Sequence, residues 1–177
     1  LGGFQLIRDR HPEARLIIAP HDPASGRLQR IAAVARALGL TTPMRSSRIA
    51  PGELPVITMV DRVGLLAQLY GRGTAAYVGG GWGTAGIHSV LEPAAWGVPV
   101  VIGPRDRGSR DAALLRDAGA LRQPGQPASA TEFAAILGGW FDQPAAAAAA
   151  AAAGRAALEQ ERGAAARSAE LLDRLLG

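Results

Sequence analysis

Short apolar runs alternate along this chain with stretches of helical periodicity. Leu1 to Arg10 reads as a helix, and His11-Pro12-Glu13 turns the chain into a short buried strand, Arg15 to Ala19. Ser25 to Leu38 carries apolar residues at 28, 31, 32, 35 and 38, a helical spacing, with Gly39 as its stop. Strands are predicted at Thr42 to Ser47, Val56 to Val60, Ala75 to Val78, Val98 to Ile102 and Ala120 to Arg122. Between them the pattern predicts helices at Leu65 to Tyr70, Ser89 to Trp96, Asp111 to Asp117 and Thr131 to Phe141, the last opening on Thr131 and Glu132. Pro144 to Gly154 and Arg155 to Leu176 read as two closing helices, and the alanine run 145–153 is expected to be a solvated one. Strand runs alternating with helices predict a Rossmann-like, doubly wound parallel sheet of about six strands, an α/β fold ending in C-terminal helices.

The chain has 177 residues, enough for one domain with a real core. No apolar run approaches membrane-spanning length. Cysteine is absent, which removes disulfides and thiolate–metal sites, and the three histidines lack metal spacing. The formal charge of +4 comes from arginine alone, because lysine is absent. The arginines are scattered and aromatics are few, so nucleic acid is not an expected partner. The opening residues read as a helix entered partway. The chain, residues 1–177, is therefore expected to be a single C-terminal domain of a longer protein.

The densest chemical signal is Gly79-Gly-Gly-Trp-Gly83 followed by Gly86, five glycines within eight residues between a strand and a helix. Such a junction aims backbone N–H groups and a positive helix end at one place, where an anion can dock. Glu92, one turn on, can accept hydrogen bonds from sugar hydroxyls, although a glutamate in a first helical turn is also commonplace on surfaces. His88 can donate to a phosphate or cap the helix, and Ser89 is a good N-cap residue. Gly81-Trp-Gly83-Thr-Ala-Gly86 matches the dinucleotide pattern by letter. The acid that pattern needs about 20 residues on has only Asp106, in a loop, to serve it. A loop shaped only for packing is the plain alternative. His21-Asp22 can be an acid/base pair or simply a turn. No nucleophile elbow and no phosphate-loop lysine are present. Pro20–Pro23, Asp61–Gly64, Gly79–Ser89 and Gly103–Arg110 all follow strands, so they should gather at one end of the sheet.

Taken together, Ile17-Ile-Ala-Pro-His21, Asp61-Arg-Val-Gly-Leu-Leu-Ala-Gln-Leu-Tyr70, Ala76-Tyr-Val-Gly-Gly-Gly-Trp-Gly83 and Gly86-Ile-His-Ser-Val-Leu-Glu-Pro-Ala94 resemble the C-terminal donor-binding domain of the Kdo transferases. These are GT-B glycosyltransferases that move 3-deoxy-D-manno-octulosonic acid (Kdo) from CMP-Kdo onto lipid A precursors. The resemblance runs over essentially the whole chain. It implies a CMP site at Pro20 and His21, at Val63, Gly64 and Leu65, and at Ser89, Val90, Leu91 and Glu92. The glycine loop (Gly79, Gly80, Gly81, Gly86) and His88 stand beside them. His21 stands where the family has Arg, Leu65 where it has Glu, and Ser89 where it has Asn. The first two look like a known branch of the family, whereas Ser89 departs even from that branch.

The resemblance implies a donor-binding half of an enzyme in lipopolysaccharide biosynthesis. Its base and its acceptor site for lipid A precursor would lie in an N-terminal domain absent from this chain. No catalytic residue is therefore expected here, and neither a metal nor a cofactor is needed; CMP-Kdo is substrate. The full-length protein would work at the cytoplasmic face of the bacterial inner membrane, against the membrane surface, while this piece alone would be soluble and inactive. Another GT-B nucleotide-sugar transferase, a sugar-nucleotide epimerase, or a non-catalytic Rossmann-like interaction module are the alternatives.

Overall fold

A computed structural model describes residues 1–23, 25–84 and 86–176. The strands are β1 (Leu16–Ile18), β2 (Met44–Arg45), β3 (Ile57–Met59), β4 (Ala76–Tyr77), β5 (Val100–Val101) and β6 (Leu121–Arg122). Each lies inside a predicted run, and every pairing is parallel. They form two three-stranded sheets, in the orders β1-β3-β2 and β4-β5-β6, rather than one sheet of six. An apolar run marks a strand but does not name its neighbour. Here Pro20 and Gly79–Gly81 follow β1 and β4 closely, and such residues do not extend a ladder.

The helices are α1 (Gly2–Arg10), α2 (Ser25–Ala37), α3 (Leu66–Tyr70), α4 (Leu91–Ala95), α5 (Arg110–Asp117), α6 (Ala130–Asp142), α7 (Pro144–Glu161) and α8 (Ala164–Leu176). The first sheet, α1 and α2 share a core of Phe4, Ile7, Ala35 and Ile57. The second sheet packs Val78, Val100, Ile102 and Leu121 against Val90, Ala94, Ala112 and Leu115. Helix α6 touches both regions: Ala134 and Leu137 border the first core, while Trp140 and the same Leu137 meet Val101 and the alanines of α7.

Three expectations about helices are corrected. First, α4 starts at Leu91, with Val90 as N-cap and no side-chain cap bond, so Ser89 does not cap it. The His88 N–H is spent on the Gly79 carbonyl at 3.1 Å, which closes residues 79–88 into a loop and delays the helix. Second, the cap of α6 is Ser129, whose hydroxyl accepts from the Glu132 N–H at 3.0 Å, rather than Thr131. Third, α7 runs straight through Gly154 and breaks only at Arg162-Gly163. Gly154 is a packing position: a Cβ built there would lie 2.9 Å from the Cβ of Ala120 and 3.8 Å from that of Ala94. The alanine run is not simply solvated either, since Ala147 and Ala150 are buried against Val101 and Trp140.

Candidate functional site

Three of the four predicted loops, those after β1, β4 and β5, meet one another. The His21 and His88 rings, on the loops after β1 and β4, stack with centroids 5.2 Å apart and planes 21° apart. The loop after β5 lies on the glycine loop through a hydrogen bond from the Arg105 N–H to the Gly81 carbonyl at 3.1 Å. Helix α3, which follows the loop after β3, packs on α4. Burial, and then the charge of Glu92 in the first turn of α4, push the Tyr70 phenol above its ordinary range.

Four of the five glycines divide into two kinds, while Gly79 makes an ordinary contact with the His88 ring. Gly80 and Gly81 adopt φ of +97° and +73°, a left-handed region that L side chains avoid. A Cβ on Gly80 would run into the Gly86 carbonyl, and one on Gly81 would lie 2.6 Å from the Arg105 carbonyl. Gly103 is equally tight, 2.6 Å from the Gly80 carbonyl by the same measure. These three hold two backbone loops in contact, which is the packing role the sequence left open. Gly83 and Gly86 have open space where a Cβ would be.

Among the candidate residues, His21, Val63, Gly64, Gly86, His88, Ser89 and Glu92 are exposed. Pro20, Leu65, Gly79, Gly80 and Leu91 are half-buried, and Gly81 is buried. Val90 is buried in the core of the second sheet, so any part it plays in binding belongs to its backbone. The exposed candidates supply two stacked imidazoles, a hydroxyl and a carboxylate, groups suited to a phosphorylated, hydroxyl-rich ligand. Two clefts of about 330 and 290 Å³ lie elsewhere, one beside Trp140 and α7, the other beside Met44 and Arg45. No group of three or more metal-ligating side chains occurs among the described residues. No helix among them is long and apolar enough to cross a membrane.

Sequence reasoning missed three contacts. The Asp61 carboxylate accepts from the Ser46 hydroxyl at 2.7 Å, the Ser47 hydroxyl at 2.5 Å and the Ser47 N–H at 3.0 Å. These bonds, Ser47 first, lower its pKa to about 2. Asp61 therefore fastens the end of β3 to the turn after β2. Trp82 Nε1 donates to the Tyr77 hydroxyl at 2.6 Å and ties the glycine loop back to its own strand. Arg155 of α7 donates to the Trp96 carbonyl at 2.7 Å, at the C-terminal end of α4. In each pair the partners belong to different elements or to an irregular loop, so no helical or strand period announces them.

No family model matches the chain. Over its full length it is 31% identical to the 3-deoxy-D-manno-octulosonic acid transferase of Bordetella pertussis, covering 41% of that protein. It is 33% identical to the enzyme of the same name from Aquifex aeolicus (strain VF5), over 59% of the chain and 28% of the relative. A probable mitochondrial 3-deoxy-D-manno-octulosonic acid transferase of Arabidopsis thaliana is 33% identical over 58% of the chain and 23% of its own length. The chain thus spans well under half the length of each of these relatives. Its fold matches the crystal structure of the C-terminal CMP-Kdo binding domain of WaaA from Acinetobacter baumannii, with a TM-score of 0.73 and 22% identity, over 88% of this chain and 79% of that one. The chain is thus an α/β domain with parallel sheets, similar over its whole length to one 3-deoxy-D-manno-octulosonic acid transferase and folded like the C-terminal CMP-Kdo binding domain of WaaA.

Proposed function

We propose that this chain is the donor-binding half of a glycosyltransferase that moves Kdo from CMP-Kdo to a lipid A precursor in lipopolysaccharide synthesis. The carrying observation is the meeting of the loops after β1 and β4, fixed by the His21–His88 stack, in a chain similar over its whole length to a Kdo transferase. CMP-Kdo would lie across Pro20, His21, Val63, Gly64, Leu65, the Gly79–Gly81 and Gly86 turn, and residues 88–92. Glu92 would accept from the ribose hydroxyls. Imidazole and backbone N–H groups would face the phosphate and stabilise it as it leaves.

The acceptor hydroxyl would be deprotonated by a base on another part of the full-length protein, which would also hold the lipid at the cytoplasmic face of the inner membrane. Attack at the anomeric carbon then breaks its bond to the CMP phosphate oxygen. The chain's own contribution is grip and orientation, with no metal and no cofactor. Residues 1–177 by themselves should show no transfer.

Calorimetric titration of the full-length protein with CMP and with UDP tests the reading. CMP should bind and UDP should bind more weakly. Glu92→Ala should weaken CMP by about 1–3 kcal/mol through loss of a charge-assisted hydrogen bond. Absence of CMP binding would overturn the donor assignment, and preference for UDP would move the chain to another nucleotide-sugar chemistry. Unchanged CMP affinity in the variant would remove Glu92 from the site.

A further inference from the structure

The two stacked histidines carry a consequence beyond their place in the donor site. Both rings are exposed, and they reach each other from loops 67 positions apart in the sequence. Gly79 lines the contact, since a Cβ built there would lie 3.5 Å from His88 Cδ2. Imidazole changes charge near neutrality, and two imidazolium rings at this separation repel. An anion lying against both would remove that repulsion and accept charge-assisted hydrogen bonds from each.

Other charged or titratable groups on the surrounding elements are few. The loop after β1 adds Asp22, α4 adds Glu92, and α3 adds Tyr70. The loop after β5 brings Arg105, Asp106 and Arg107, with Asp106 already bound to Arg116. On the loop after β3, Asp61 is held by Ser46 and Ser47, beside Arg62.

We propose that His21 and His88 work as one proton-dependent grip for the phosphoryl group of the bound nucleotide, and not for its base or sugar. This rests on the donor-site reading above. Binding then takes up a proton, so affinity falls as pH rises through and above neutrality.

The test is the affinity of the full-length protein for CMP and cytidine between pH 7 and pH 8.5. The second ionisation of the CMP phosphate monoester, near pH ~6, is largely complete across that window. CMP should bind about tenfold more weakly at the upper end, by loss of charge-assisted bonds to imidazolium. Cytidine, which lacks the phosphoryl group, should show no such slope. His21→Arg, which places a permanent cation at that position, should flatten the CMP profile and keep affinity at pH 8.5. His88→Gln should flatten it at the weaker level, with an unchanged thermal melt showing that the variant is folded. CMP binding that is tight but independent of pH in the parent protein would overturn the grip and leave the donor site standing. A slope that persists in both variants would also overturn it. Failure of CMP to bind at any pH would overturn both readings together.

Discussion

Asp61 shows how a single side chain can serve the site without touching a ligand. Its carboxylate is ringed by Ser46 and Ser47 and titrates at about 2. Unfolded, it would titrate near ~3.9. The folded state therefore binds fewer protons in the interval between those values. The contribution is complete above pH ~4 and is lost as pH falls through about 2. Urea unfolding of the parent and of the Ser46→Ala/Ser47→Ala double variant should separate the two proteins at pH 6. The gap should close toward pH 2; a gap that does not narrow would mean the serines act through something other than the carboxylate.

Helix α7 is where element-scale packing matters most. Its small residues let it lie close on α4 and α5, with Gly154 over Ala94, Leu115 and Ala120 and Arg155 reaching the Trp96 carbonyl. Alanine is a better helix former than glycine by about 1 kcal/mol, so on propensity alone Gly154→Ala would stabilise the protein. The approach to Ala120 opposes that gain. Gly154→Ala should give no increase in stability, and Gly154→Val should cost about 1–3 kcal/mol by overpacking. Chemical denaturation of both variants is the check. A clearly stabilised Gly154→Ala would show that α7 sits further from β6 than the structure places it. The same logic explains why α7 was misread as ending at residue 154: glycine signals a stop by its backbone freedom, but here it is selected for lack of volume.

At the scale of the molecule, α6 holds two sheets that share no ladder. Leu137 borders the core under the first sheet as well as the cluster of Val101, Trp140 and α7 alanines. Leu137→Ala should lower stability by about 2 kcal/mol through a cavity felt on both sides. Tryptophan fluorescence, reporting Trp82, Trp96 and Trp140, and far-ultraviolet circular dichroism, reporting every element, should still give one coincident transition. Two separated transitions would show that the halves fold independently and that the site between them depends on a weak interface.

The chain's own pattern determined the elements and their order, because apolar runs and helical spacing are local properties. All six strands lie within predicted runs, and the same pattern placed the chemically suggestive residues in loops that follow strands. Motifs quoted from those loops were enough to point to the family. Pairing was not local. Whether β1 lies beside β3 or β4 depends on contacts far apart in sequence, and only the folded chain decided for two sheets of three. The glycines show the same division. Their count was plain in the sequence, but Gly80, Gly81 and Gly103 proved to be places where two backbones touch, while Gly83 and Gly86 face open space. The meeting of His21 with His88 was likewise beyond any spacing rule, since it is the tertiary fold that carries two distant strand ends to within one ring stack.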